Sequence, residues 1–348
     1  MLKRAARWTL VLLLGIVAVV AVLIGVLMRM VPSDEELAAR IEKTAGQKLG
    51  VKVTVRSAHL QVWPRPEFVL ADVATDQEQP ISLRLLVTRP QLSDLLRHRL
   101  SFPNVDIDGA VIPVTSLHQL HIDPTANGAS IPLQLRRLRF QHLTWITRRG
   151  KELEFEGEAR IQPDWQLQDL QLLRSGVKPV ARITLARQDA RQWDVKIQVG
   201  GGTADGQAEL ARDKQGRWQL SGKLAPHEIE VASALDAFRF RSAVSGKASG
   251  ETIISASGES IGEVASSLHT RTQFSMGPAT LLHIDVEKAI RTVGKEHAGR
   301  TALRTLTGQV DTQNSRDGLV VRYSGLQARG DSFTAKGGGT VANRRLDG

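Results

Sequence analysis

Apolar and polar residues alternate with a period of two over most of this chain, after one long apolar run at its N-terminus. The alternation is clearest in three segments in the middle of the chain, 153–161, 193–199 and 218–224. A strand with one apolar and one polar face is typical of an antiparallel sheet that is dry on one side only. The whole pattern predicts about fourteen strands and about five short helices, a mainly β fold.

The N-terminal apolar run has the length of a membrane span. It holds no charged residue from Trp8 to Met28, and as a helix it would be about 31 Å long. Lys3, Arg4 and Arg7 precede it, which predicts a cytoplasmic N-terminus. A cleaved signal peptide is the alternative, but the run exceeds a signal h-region and residues 28–31 offer no small-x-small cleavage site. The predicted anchor, residues 1–30, includes Trp8, Leu10, Leu14, Val19, Leu23 and Leu27.

A short amphipathic helix is predicted directly after the anchor. Ser33 and Glu36 form a capping box, an apolar stripe with a spacing of four residues follows, and Gly50 ends the helix. The stripe either rests on lipid or plugs the end of a sheet, and the second is the more frequent arrangement.

Short helices return in the C-terminal third, after Pro226. Three are predicted, at 229–238, 260–268 and 285–296, the last with Val286, Ile290 and Val293 buried. With the anchor, this divides the chain into four predicted regions: 1–30 (cytoplasmic tip and anchor), 31–115 (first helix and β region), 116–226 (middle sheet) and 227–348 (β region with short helices).

Composition narrows the range of functions. The 348 residues include no cysteine, which excludes thiol catalysis and thiolate metal sites. The net charge of +10 is spread along the chain, whereas nucleic-acid binding would need a focused basic face. Diffuse positive charge suits proximity to anionic lipid head groups, and ordinary solubility is the alternative.

Two clusters have residue types that bind metals. His118 and His121 form an H-x-x-H with Asp123 nearby, but they lie in a loop-like stretch without a further ligand. Asp106 and Asp108 resemble the opening of a calcium loop, but the later oxygen ligands and the closing glutamate are missing. We expect no metal site and no cofactor.

Two other patterns have a structural interpretation. The glycine runs 200–202 and 337–339 lack the Lys-Ser/Thr of a phosphate loop, which favours close backbone approach or a bulge. Glu154, Glu156 and Glu158 share one face of a strand, which favours a solvated edge over a catalytic pair. No Ser-His-Asp arrangement is evident, and we expect no enzymatic activity.

So few helices cannot cover both faces of so many strands. The apolar face must meet a second sheet, curl on itself, or contact something that is not protein. A long curled sheet with an apolar lining would hold acyl chains; a closed sandwich with an aliphatic core is the alternative. The predicted lining of such a groove consists of Leu153, Phe155, Ile161, Trp193, Val195, Ile197, Val199, Trp218 and Leu220.

Two blocks of the chain resemble a known family. The anchor and capped helix are followed by LGVKVTVRSAHLQVWPRPEFVLADV and then RPQLSDLLRHRLSFPNVDIDGAVIPV. The second block runs from SIGEVASSLHTRTQFSMGPATLLHIDVEKAIRTV into TALRTLTGQVDTQNSRDGLVVRYSGLQARGDSFTAKGGGTVANRRLDG. Together these blocks, about half of the chain, resemble the terminal regions of AsmA-family proteins of Gram-negative bacteria, although this chain is short for the family.

The resemblance implies a single-pass inner-membrane protein with its body in the periplasm. Such a protein would bind or transfer phospholipid along an apolar β-groove and support outer-membrane biogenesis, with membrane lipid and periplasmic or outer-membrane proteins as partners. The alternative is a structural adaptor or assembly factor for outer-membrane proteins, with a closed β domain that carries no lipid.

Overall fold

The computed structural model describes residues 33–61, 66–89, 103–117, 135–162, 166–259, 263–264, 267–315, 318–342 and 345–347. Four short helices accompany nineteen strands in this part of the chain. The helices are α1 (Asp34–Leu49), α2 (Val114–Leu117), α3 (Val231–Asp236) and α4 (Val286–Arg291). The first strands are β1 (Val53–Gln61), β2 (Glu67–Thr75), β3 (Ser82–Thr88), β4 (Asn104–Pro113), β5 (Arg137–Ile146), β6 (Glu152–Ile161), β7 (Leu167–Arg174), β8 (Ala181–Arg187), β9 (Gln192–Val199) and β10 (Gly202–Arg212). The remaining strands are β11 (Trp218–His227), β12 (Ile229–Glu230), β13 (Val244–Gly258), β14 (His269–Leu282), β15 (Arg300–Leu303), β16 (Thr305–Ser315), β17 (Gly318–Arg329), β18 (Thr334–Ala342) and β19 (Arg345–Asp347).

All of these strands belong to one sheet, built almost entirely from neighbours in sequence. Successive strands pair antiparallel, with β12 and β15 as short additions beside β13 and β14. The mainly β prediction is therefore confirmed. The purely antiparallel sheet is wrong at one step, because β4 and β5 are parallel. Two parallel strands need a connection that runs back to the end of the sheet where the first strand begins. Residues 118–134 of this connection lie outside the described part of the chain.

Helix α1 packs across the first strands, as its capping signals and apolar stripe predicted. The Ser33 hydroxyl accepts a hydrogen bond from the Glu36 amide at 3.3 Å, and Gly50 ends the helix with a φ of 68°. Its apolar residues cover a cluster formed by Val53, Val55, Ala58 and Leu70 of β1 and β2. The helix therefore plugs this end of the sheet.

Substituting alanine for Gly50 is expected to destabilise the protein by about 1 kcal/mol, because an L side chain is strained at this left-handed φ. Denaturant unfolding measures the change. Gly277→Ala is the matched control, since an added Cβ there meets no heavy atom within 4 Å and its φ is not left-handed. Equal stability of the two variants would contradict the assigned helix end.

The C-terminal helices are shorter than predicted. Helix α3 covers only Val231–Asp236 of the predicted 229–238, and α4 ends at Arg291 because Val293 and Gly294 adopt positive φ values of 52° and 79°. The predicted burial of Ile290 and Val293 is wrong: they are 66% and 89% exposed. A helix of six residues has no third turn to hold them against the sheet. The predicted helix at 260–268 lies largely outside the described residues.

Within the described residues no helix is long and apolar enough to cross a bilayer. The predicted anchor, with Trp8, Leu10, Leu14, Val19, Leu23 and Leu27, lies outside them. The regions predicted at 31–115, 116–226 and 227–348 all contribute strands to the one sheet.

Candidate functional site

One face of the sheet is apolar without interruption from β1 to β11. Residues paired across neighbouring strands point to the same face, so the registers define rows that cross the sheet. One such row consists of Ala58, Leu70, Leu86, Ile107, Phe140, Gly157, Leu172, Ile183, Ile197, Ala204 and Pro226. We call this side of the sheet the apolar face. At a strand spacing of about 4.8 Å, these eleven strands span about 48 Å.

The nine residues predicted to line a groove all lie on the apolar face. Ile197 pairs with Ile183 and Ala204, and Leu220 pairs with Leu210 and Ala256. Leu153 and Val195 are buried, at 7% and 9% exposure, so they belong to the packed base of this face. The other seven are half-buried and accessible in part: Phe155, Ile161, Trp193, Ile197, Val199, Trp218 and Leu220.

The opposite face carries charges that pair across the strands. Arg160 bonds Asp169 at 2.9 Å, and Lys223 bonds Glu251 at 2.8 Å. Glu158, one of the three glutamates singled out in the sequence, bonds Arg137 at 3.0 Å. In these strands the period-two pattern therefore places ion pairs on the face opposite the apolar one.

Several carboxylates on the polar face titrate below their usual range. The hydrogen bond from Arg271 Nε to Asp311 Oδ1, 2.9 Å long, is the main cause that lowers the pKa of Asp311, with Gln309 adding to it. The hydrogen bond with His142 and the contact with Arg84 lower the pKa of Asp108. Groups held ionised in this way stabilise strand pairing and are poorly suited to proton transfer near neutral pH.

Asp106 and Asp108 lie in strand β4. Within the described ranges, no group of three or more acidic or histidine residues is arranged to hold a metal ion. His118, His121 and Asp123 lie outside those ranges.

The glycine runs act in strand pairing and turns. Gly200 and Gly201 form the β9–β10 turn with φ values of 57° and 75°, and a Cβ on Gly200 would lie 2.4 Å from the Glu230 oxygen. The run 337–339 lies inside β18, not in a connection.

A second covering element lies on the apolar face, at the end of β6 to β9 where Arg174 and Val199 are found. It is the segment that contains α3 and continues to Phe240. Phe238 borders a small apolar pocket whose other walls include Leu172, Ile183 and Ile197. Sequence reasoning missed this contact, because residue 238 is far from β6 to β9 in the chain and no local pattern links them.

Cations stack on aromatic rings at both ends of the strands that form the apolar face. Near Phe238, Lys151 lies 4.5 Å from the Phe240 ring centre and Arg174 lies 5.7 Å from that of Phe155. At the opposite strand ends, Arg187 stacks on Trp193 and Arg212 on Trp218, at 5.6 and 4.6 Å. The sequence showed the aromatic members of the Trp193, Trp218 and Phe155 pairs as lining, but not their cationic partners.

Comparison with models of protein families, with curated proteins and with solved structures finds no match to this chain.

Proposed function

We propose that this chain binds or transfers phospholipid on its apolar face and thereby supports outer-membrane biogenesis. The observation that carries the proposal is the unbroken apolar row across eleven strands, with half-buried side chains such as Ile183 and Ile197 along it. Burial of apolar surface is worth about 25 cal/mol per Å², so acyl chains laid along this face would gain substantial free energy.

The distribution of the covering elements supports the same role. Helix α1 plugs the face at β1 and β2, and the α3 segment covers one end of β6 to β9. The described strands all belong to one sheet, whereas a closed sandwich, the form expected of a lipid-free adaptor, would need a second sheet against this face.

The cellular setting of the proposal comes from the sequence. The predicted anchor at 1–30 and the resemblance to the AsmA family support a non-catalytic protein of the bacterial inner membrane with a periplasmic body. Phospholipid and periplasmic or outer-membrane proteins are its proposed partners.

Native mass spectrometry of the full chain, extracted from bacterial membranes in a mild detergent, tests the proposal. We expect one or more phospholipid molecules per chain that survive a detergent wash. A chain that is free of lipid after extraction, and takes up none from added vesicles, would contradict the proposal.

A further inference from the structure

Three cationic residues lie together on the apolar face, at the end of the strands where Arg174 is found. Lys151 Nζ donates a hydrogen bond to the Arg239 carbonyl oxygen, and Arg174 Nε donates one to the Ala237 carbonyl oxygen at 3.2 Å. Both cations therefore lie against the three-residue segment that carries the third, Arg239. We call Lys151, Arg174 and Arg239 the basic corner.

The central cation of the basic corner, Arg174, is buried and forms no ion pair with a described residue. Arg174 is 7% exposed, and its other hydrogen bonds go to the carbonyl oxygens of Glu154 and Ser175, at 2.7 and 3.1 Å. These carbonyl oxygens accept from Nε and Nη1 but do not neutralise the charge. None of the ion pairs found among the described residues involves Lys151, Arg174 or Arg239.

The electrostatics of Arg174 agree with this geometry. Burial lowers the pKa of its guanidinium, the positive charge of Arg239 lowers it further, and the Glu154 carboxylate raises it with the smallest effect of the three. A buried charge beside a like charge is unfavourable unless an anion compensates it. The basic corner therefore has the electrostatics of an anion-binding site.

The surroundings of the corner indicate which anion fits. Phe155 and Phe240 stack on two of the cations, and the apolar pocket bordered by Phe238 begins beside Arg174. An anion here that carries an apolar group would place that group on the apolar face beside the corner. The guanidinium of Arg239 is exposed and offers paired N–H donors to a phosphate, the Lys151 ammonium adds a point charge, and the buried Arg174 adds its charge from behind.

We propose that the basic corner binds the phosphate of a phospholipid head group while the acyl chains lie on the apolar face. This inference rests on the proposed function and adds to it a place and a chemistry for head-group recognition.

The variant Arg239→Asn tests the role of the corner in binding. Arg239 is exposed and has a φ of 58°, a backbone conformation that asparagine tolerates well, so the change removes charge with little strain. Arg241→Asn is the matched control, because Arg241 is also exposed and lies only two residues after Arg239 in the chain. Lys151→Gln is a second variant at the corner.

The probes are phosphatidic acid and diacylglycerol with identical acyl chains, each titrated against the full chain. The wild-type protein is expected to prefer phosphatidic acid by about tenfold. Arg239→Asn and Lys151→Gln should each reduce this preference severalfold and leave diacylglycerol binding unchanged, while Arg241→Asn should retain it.

The outcomes separate the inference from the function on which it rests. If both lipids bind and neither corner variant changes their ratio, head-group recognition at the corner is overturned and the proposed function stands. If neither lipid binds, the proposed function fails and the inference fails with it. If glycerol 3-phosphate binds as tightly as phosphatidic acid, the corner recognises a soluble phosphate compound, which overturns the lipid form of the inference.

Discussion

Replacing Ile197 by lysine is expected to reduce phospholipid binding at least about tenfold while the protein stays folded. Ile197 is the ninth of the eleven residues in the apolar row, half-buried between Ile183 and Ala204. On an accessible face, a lysine stem lies along the apolar surface and its ammonium reaches water, so the stability loss should be about 1 kcal/mol. Acyl chains would then meet a charge within their binding surface. Native mass spectrometry and denaturant unfolding of the full chain measure the two effects.

Gln192→Lys is the control for this substitution, since it adds the same charge to the polar face of the same strand, opposite Glu209. It should bind lipid as the wild-type protein does. Unfolding of the Ile197→Lys variant would identify a closed core, because an unpaired charge buried there costs several kcal/mol. A folded variant with unchanged lipid binding would contradict the assignment of this face as the binding surface.

Replacing Met276 by alanine is expected to lower the free energy of unfolding by about 3 kcal/mol. Met276 is 2% exposed and lies in a cluster with Ala279, Leu303 and Leu306. Val231 of α3 packs against the same cluster, so the side chain joins the covering segment to the C-terminal strands. Truncation removes apolar contacts and leaves a cavity that strands fixed by their ladders cannot close. Denaturant unfolding measures the loss.

Met276→Leu is the control for this test, because leucine nearly conserves the side-chain volume and leaves no cavity. It should lower the free energy of unfolding by less than about 1.5 kcal/mol. If the alanine and leucine variants were equally stable, the packing of this cluster would not be the one described.

The two faces of the sheet were predictable because strand periodicity is a local property. Trp193, Val195, Ile197 and Val199 alternate with polar neighbours, so any sheet that buries one face must put all four on the same side. The cap and end of α1 were predictable for a similar reason, since Ser33 and Gly50 act within one helical turn.

Turns at glycine were harder to locate. Asp205-Gly206 is a turn signal in the sequence, but these residues lie inside β10. Gly206 is needed there because a Cβ would lie 2.0 Å from the Lys223 oxygen of the next strand. The same residue type thus serves a turn or a close approach of strands, and only the pairing register distinguishes the two.

The sequence alone determined the mainly β class, the assignment of nine residues to one apolar face and the capped first helix, because each depends on spacing within a short segment. Only the tertiary structure decided the parallel step between β4 and β5, the burial of Leu153 and Val195, and the meeting of Lys151 and Arg174 with the 237–239 segment. These features join residues far apart in the chain: 63 positions separate Arg174 from Ala237. Their contacts depend on strand order and on where a connection crosses the sheet, which the periodicity of a single strand does not encode.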